Sequence, residues 1–423
     1  MVNRIYYSLY GRLLSKHALR QAFAHVKRAK GAPGIDGQSL SEFADRLDEE
    51  LDHLLLELRR KQYRPHPVRR VEIPKDDGGI RLLGVPTVRD RVVQQALRAV
   101  LEPIFDPHFH PSSYGYRKGR SGHQAIAKAS LFIRRYSRQW VVDMDLSKCF
   151  DRLDHELIIS GVRRRVADGS VLKLLRLFLS SGVMVGGQFE PSELGSPQGG
   201  VISPLLSNIY LDAFDQHMMA RGHRIVRYAD DILILCSSQA AACNALAVAS
   251  GYLEKDLKLQ VNAEKTHIAH SSDGVKFLGV EISTNFTRIQ AKKVERFKQK
   301  VKVLTRRNGG RPLMAVITQM NPVLRGFCQY FQVANCKVQL RGLMQWIRRR
   351  LRAIQLKLWK KPGRLKRRLC QLGHTPWFTS IKMNSWRNAK SPASSKAMPN
   401  RWFHEELGLY DMATINTGVL VPV

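Results

Sequence analysis

Two short acidic runs lie inside apolar sequence. One is Val141-Val142-Asp143-Met144-Asp145-Leu146, and the other is Asp230-Asp231, set between β-like runs at 224–227 and 232–235. Alternate residues of a strand share a face, so Asp143 and Asp145 project together. Either run alone reads as turn chemistry, because Asp is favoured where a chain reverses. Together they suit another task. Carboxylates from two adjacent strands can converge on two Mg2+ ions, one lowering the pKa of an attacking hydroxyl and the other supporting the leaving oxygen of an in-line phosphoryl transfer. Carboxylates so close together repel, and a divalent cation gives them a reason to coexist.

The elements that would position these groups are legible in the pattern. The first 60 residues read as two helical stretches around the turn Gly31-Ala32-Pro33-Gly34-Ile35-Asp36-Gly37. Val68–Pro74 and Ile80–Val85 are β-like and flank Asp76-Asp77-Gly78-Gly79, which predicts a hairpin; Pro74 predicts that it has an open edge. Val92, Val93, Ala96, Leu97, Val100 and Leu101 give 88–105 a helical period. Residues 140–146 read as a strand and 154–166 as a helix capped by Asp154. The run 224–235 is β-like on both sides of Tyr228-Ala229-Asp230-Asp231, and 276–282 reads as a further strand. Helices mixed with short strands, without regular βαβ alternation, predict an α+β core; beyond 290 the chain turns helical and reads as a separate domain.

The charge points to the partner. The 423 residues carry 69 Lys+Arg against 35 Asp+Glu, a formal +34. Residues 1–290 hold 41 basic and 31 acidic side chains, whereas 291–370 hold 23 basic and one acidic, Glu295. A block so one-sided repels itself unless it faces a polyanion, and nucleic acid is the polyanion expected. No run approaches the ~18 apolar residues of a spanning helix, so no membrane is expected. Arg12, Lys16 and Arg20 interrupt any signal-peptide core, and the chain is expected in the cytoplasm. Cys149, Cys236, Cys243, Cys328, Cys336 and Cys370 form no C-x-x-C pair and read as buried, reduced thiols.

Asp145-x-x-x-x-Phe150, Gly195-Ser196-Pro197-Gln198-Gly199-Gly200 and Tyr228-Ala229-Asp230-Asp231 resemble reverse-transcriptase palm motifs in the right order. The surrounding sequence resembles the group II intron-encoded reverse transcriptase/maturase family. Matching segments are Ile73-Pro74-Lys75 with Gly79-Ile80-Arg81, Ser113-Tyr114-Gly115-Tyr116-Arg117, Asn262-x-x-Lys265-Thr266, Phe277-Leu278-Gly279 and Asn321-Pro322-Val323-Leu324-Arg325-Gly326. The resemblance runs from about residue 20 to 370 and thins in the tail. YxDD alone is a weak signal; the ordered set is specific.

The resemblance implies a right-hand polymerase: an N-terminal extension with fingers (1–90), a palm with remaining fingers elements (91–290), a helical thumb or maturase domain (291–370) and a C-terminal appendage (371–423) that could contact DNA. It implies that Asp145, Asp230 and Asp231, with the Leu146 carbonyl, hold two Mg2+ ions, Mn2+ being a possible substitute; Asp143 stays as runner-up on its strand face. Phe150 would exclude a 2′-hydroxyl, where the bland reading is a core phenylalanine. Lys75 and Arg81 would hold the triphosphate, Arg81 as a planar donor fork. Gln198 and its glycines would approach the template–nucleotide pair. Lys265 is a candidate acid for the leaving pyrophosphate, or simply a surface lysine.

Leu340, Leu343, Met344, Ile347, Leu351, Ile354 and Leu358 make one apolar helical stripe, with Arg341, Arg348, Arg349, Arg352 and Lys357 largely off it. These five are the candidate RNA contacts, since intrahelical acidic partners are missing. The expected partners are group II intron RNA, an RNA template with DNA primer, dNTPs and target DNA. No paired cysteines mark an HNH endonuclease, so strand nicking is not expected. Two competing readings remain: a non-catalytic RNA-binding maturase, and a reverse transcriptase of retron, diversity-generating or host-repair type.

Overall fold

The computed structural model describes residues 4–74, 78–185, 188–191, 194–195, 199–376 and 381–418. Lys75, Gln198 and Trp377 lie outside the described residues. The chain folds into two compact units, Met1–Phe132 with Tyr136–His270, and Ile133–Arg135 with Ser271–Val423.

The first unit holds two four-stranded sheets. One contains β1 (Val68–Pro74), β2 (Ile80–Val85), β4 (Val183–Val185) and β5 (Gln188–Glu190) in the order β2-β1-β4-β5. β1 and β2 form the expected hairpin, with Ile73 opposite Arg81. On its other side, among the described residues, β1 meets β4 only at Val68 and Arg69, which leaves its Pro74 end with an open edge there. That suits a residue with no N–H to donate.

The second sheet contains β3 (Trp140–Met144), β6 (Arg224–Tyr228), β7 (Asp231–Cys236) and β8 (His267–His270), all antiparallel, in the order β6-β7-β3-β8. Its central strands are apolar because both faces are covered. Ile232 and Ile234 of β7 are fully buried, each contributing roughly 1.5–3 kcal/mol of hydrophobic stabilisation. The helix Gln239–Gly251 packs on β3 and β7 through Ala242, Ala245 and Ala249, whose small side chains allow close approach. Thr87 caps the helix Val88–Phe105 by accepting from the Asp90 N–H. Asp154 caps His155–Arg163 as the sequence predicts, although that helix ends before residue 166.

The second unit opens with a small antiparallel sheet, ordered β11-β10-β9, of β9 (Val275–Phe277), β10 (Val280–Ile282) and β11 (Thr287–Ile289). The single strand expected over 276–282 is therefore two. Leu278 and Gly279 both take positive φ (45° and 82°), which reverses the chain in a two-residue turn. Helices Ala291–Leu304, Leu313–Phe331, Lys337–Trp359 and Pro362–Gln371 follow. Six of the seven predicted stripe residues are buried in Lys337–Trp359, Leu358 being only partly so. The C-terminal segment packs on this same helix and buries Ala397, Met398, Phe403 and Met412. Four cysteines are buried, but Cys243 and Cys370 lie on outward helix faces and are exposed, against the expectation for them. Among the described residues no helix is long and apolar enough to cross a membrane.

Candidate active site

Strand register brings the two acidic runs together. Met144 of β3 faces Ile232 of β7, so the next opposed pair is Asp145 and Asp231. Directly opposed residues of an antiparallel pair lie roughly 4.5–5.5 Å apart at Cα and share a face. Asp143 lies one step back on the same face, opposite Leu233. Asp230 occupies the reversal between β6 and β7, where Tyr228 pairs with Asp231.

Asp145 leaves the sheet and is held by the segment that follows. Its N–H donates to Thr266 Oγ1 (3.2 Å), and its carbonyl accepts from the Asn262 N–H (2.8 Å). Its Oδ2 accepts from Asn262 Nδ2 (3.0 Å) and lies 3.6 Å from Lys265 Nζ. The Asn262-x-x-Lys265-Thr266 motif is thus a cradle for Asp145. Leu146 bridges Val261, while the flanking bonds are made by Asp145 and Ser147, so Leu146 turns its own N–H and carbonyl away from that strand.

The Tyr228–Asp231 reversal rests on a buried polar network. Ala229 has φ 58°, a left-handed conformation that costs an alanine roughly 1–2 kcal/mol. Its carbonyl accepts from Arg227 Nη1 (3.0 Å). Arg227 also donates to Asn208 Oδ1 (3.1 Å) and grips Asp215 through Nε (2.9 Å to each oxygen) and Nη2 (2.6 Å). Both side chains of this ion pair are fully buried. Asn208 Nδ2 donates to the Gly115 carbonyl (2.8 Å). A Cβ on Gly115 would meet the Ala229 nitrogen at 2.3 Å, so only glycine lets this loop back the turn so closely.

The carboxylates feel one another. Burial, followed by the charge of Asp145, raises the Asp230 pKa, and Arg81 and Arg227 oppose the rise. Asp231 reaches solvent but is surrounded by enough protein that desolvation, then the charges of Asp230, Asp143 and Asp145, pushes it up to about 7. Lys265 pulls the other way. Among the described residues no three Asp, Glu, His or Cys groups are gathered tightly enough to clasp one metal ion.

Phe150 is buried in the turn Cys149–Arg152, its ring edge-on to Tyr116 with centroids 6.2 Å apart. Burial raises the Tyr116 pKa, Asp230 adds to the rise and Arg81 opposes it, so these three groups share one neighbourhood with Phe150. Arg81 is exposed on the β1–β2 hairpin. A Cβ on Gly199 would lie 2.5 Å from the Gly84 carbonyl of β2, which brings the glycine loop against the hairpin's base.

Residues 73–282 match the family described as Reverse transcriptase (RNA-dependent DNA polymerase), and 294–372 match the Group II intron, maturase-specific domain. A protein named YkfC from Escherichia coli is 38% identical over 300 residues, covering 62% of this chain and 79% of the relative. The chain belongs to the group II intron-encoded reverse transcriptase/maturase family. The Group II intron-encoded protein LtrA of Lactococcus lactis subsp. cremoris is 28% identical over 350 residues. That match covers 66% of this chain and 57% of LtrA. The solved structure of a partial Cas6-RT-Cas1–Cas2 complex is a more distant likeness, at 26% identity, 59% and 43% coverage and TM-score 0.37.

The maturase domain's central helix, Lys337–Trp359, holds the five basic residues singled out in the sequence. Arg341 is exposed. Arg348 donates to the His404 ring (3.3 Å), and Lys357 bonds Asn308 Oδ1. Arg352 donates to the Met398 carbonyl (3.0 Å) and Asn400 Oδ1 (2.9 Å) and lies over the Phe403 ring. Burial, then Arg348, lowers its pKa to about 10. Arg349 is partly buried. Exposed cations lie instead on the flanking helices, among them Lys292 and Lys300 of Ala291–Leu304 and Arg364 and Arg367 of Pro362–Gln371.

Sequence reasoning missed Arg227 of β6 and its partners Asn208 and Asp215 on the helix Ser203–Ala220, and gave Tyr116 no role. The available signal was Arg227 itself, an arginine that directly follows the apolar pair Ile225-Val226 in the interior of a strand.

Proposed function

We propose that this chain is an active RNA-directed DNA polymerase that also binds its intron RNA as a maturase and supports splicing and mobility. The observation that carries the reading is the register that sets Asp145 opposite Asp231, with Asp230 at the adjoining turn. The primer 3′-hydroxyl attacks the α-phosphorus of a bound dNTP and pyrophosphate leaves.

The donor set fits a hard divalent cation. Carboxylate and carbonyl oxygens are the ligands Mg2+ prefers, and it needs only one or two carboxylates when water and substrate phosphates complete its shell. Asp145, Asp230, Asp231 and the Leu146 carbonyl would hold two Mg2+ ions, with Mn2+ as substitute. When bound, these supply hydroxyl activation and charge neutralisation on the leaving oxygen. Lys265, beside Asp145, donates the proton that the departing pyrophosphate takes up. Arg81, with Lys75, orients the triphosphate; Phe150 backed by Tyr116 closes the space that a 2′-hydroxyl would need. Gln198 would contact the template–nucleotide pair.

Residues 1–90 would form the N-terminal extension and fingers, 91–290 the palm, 291–370 the RNA-gripping thumb and 371–423 the appendage, working in the cytoplasm on intron RNA, primed RNA template and target DNA. Within the thumb, Arg341 and the exposed cations of the flanking helices take the phosphates, while Arg348 and Arg352 dock the tail. Primer extension on an RNA template tests the reading. Asp230→Ala abolishes DNA synthesis and leaves RNA affinity unchanged; retained synthesis would remove the site assignment.

A further inference from the structure

The carboxylates lie at the C-terminal ends of β3 and β6, which run parallel to each other on either side of β7. At the opposite end of the same strands a cavity of about 460 Å³ opens within the first unit. Arg224 is the first residue of β6 and Arg138 precedes β3 by two residues, and both line it. Lys128 is the third cation, its ammonium 5.2 Å from the Phe132 ring centroid.

No Asp or Glu is among the described residues lining this space. Three cations around one cavity repel each other, and an anion seated among them would relieve that repulsion. The cavity also carries an aromatic wall. Phe132 and Tyr136 lie 6.0 Å apart and tilted by 51°, and Tyr136 is 55% exposed. A large exposed ring held beside several cations is the combination that binds a nucleotide, whose base stacks while its phosphate is neutralised. The volume falls in the range of pockets that bury small organic ligands, roughly 300–1,000 Å³. Ser112 and two imidazoles, His110 and His223, add polar groups to the lining; His110 Nδ1 already accepts from the Ser112 N–H, and the remaining ring nitrogens can hydrogen-bond a base edge or sugar.

We infer that this cavity is a second nucleotide-binding site, on the far end of the palm sheet from the carboxylates, taking a base and its phosphate from single-stranded RNA. The five residues of β6 put it roughly 15 Å from the reaction centre. A strand held there is anchored by the polymerase domain itself, independently of the basic maturase helices. The inference rests on the reading that this chain binds RNA, but does not require DNA synthesis.

The test is photocrosslinking of full-length protein to a single-stranded RNA bearing 5-iodouridine, with the adduct mapped by mass spectrometry. An adduct at Tyr136 is expected. Tyr136→Ala should weaken RNA binding about tenfold at constant salt dependence, the size of one base–aromatic stack. Arg138→Ser with Arg224→Ser should instead flatten the salt dependence, by about 0.7 for each phosphate no longer neutralised. Thermal melting of each variant separates these effects from misfolding. Excess uridine monophosphate, added before irradiation, distinguishes the sources: suppression of adduct formation marks a free-nucleotide site and overturns the strand assignment, and undiminished adduct marks a strand site. Adducts confined to other segments, with affinity and salt slope unchanged in the variants, would overturn the inference altogether. A protein that crosslinks at Tyr136 yet never extends a primer would refute the polymerase reading and leave this one standing.

Discussion

Arg227 offers a way to separate folding from catalysis. Replacing it with Met strands Asp215, which is fully buried and pairs with that guanidinium. Removing one partner of a buried pair costs about 3–5 kcal/mol, so Arg227→Met should lower the urea midpoint sharply. The double variant Arg227→Met with Asp215→Leu removes both charges and replaces them with apolar volume. Such exchanges are often neutral or stabilising, and most of the lost stability should return. The Ala229 carbonyl nevertheless still lacks its donor, and the left-handed alanine is without the hydrogen bond that offsets its strain. A turn that relaxes by about 1 Å displaces Asp230 and Asp231 enough to slow the reaction on the order of a hundredfold. Urea melts and steady-state primer extension, read as kcat and KM, measure the two effects separately. Stability restored with kcat still depressed supports Arg227 as a positioning residue. Recovery of both in the double variant would refute the argument and leave Arg227 as core filling.

Further outcomes follow from the same geometry. Phe150→Val should admit ribonucleotides, raising their kcat/KM relative to dNTPs by about tenfold or more; unchanged discrimination would make Phe150 a core residue only. Because the Asp231 pKa is raised from its ordinary 3.8 to about 7, the folded chain binds more protons than the unfolded one between those values. Metal-free stability should therefore fall as pH rises through that window and be lowest above it. The rise in melting temperature on adding Mg2+ should accordingly be larger at pH 8 than at pH 5, and Asp231→Asn should shrink the difference. In the maturase domain, Arg352→Ala should cost about 1–3 kcal/mol and speed proteolysis of the C-terminal segment, because it removes the bonds to Met398 and Asn400. Arg341→Ala should leave stability intact and reduce the salt dependence of RNA binding.

Local signals made much of this fold readable. Val68–Pro74, Ile80–Val85 and Val88–Phe105 appear with the bounds their patterns predict, since β-like runs, turn residues and helical period all act within a few residues. The misread strand over 276–282 shows the limit. Leu278 is apolar and gives no turn signal, yet it takes a left-handed conformation beside Gly279. The maturase arginines show another. Helical spacing separates Arg348 and Arg352 from the apolar stripe, but a face off the stripe is free only if nothing else covers it. Here a segment about 50 residues downstream does. The acidic runs were recognisable as types, but their convergence depends on register between strands about 90 residues apart. Arg227, Asp215 and Asn208 have no local signature as a group, because their partnership exists only once β6 packs on the helix Ser203–Ala220.

The central claim is that Asp145, Asp230 and Asp231 form one site for DNA synthesis on an RNA template. The most direct measurement is primer extension by the purified chain and its Asp230→Ala variant, with RNA affinity determined in parallel. The account predicts Mg2+-dependent DNA synthesis by the parent, none by the variant and equal RNA binding by both. Synthesis that survives the substitution, or a parent that binds RNA but never extends the primer, would contradict it.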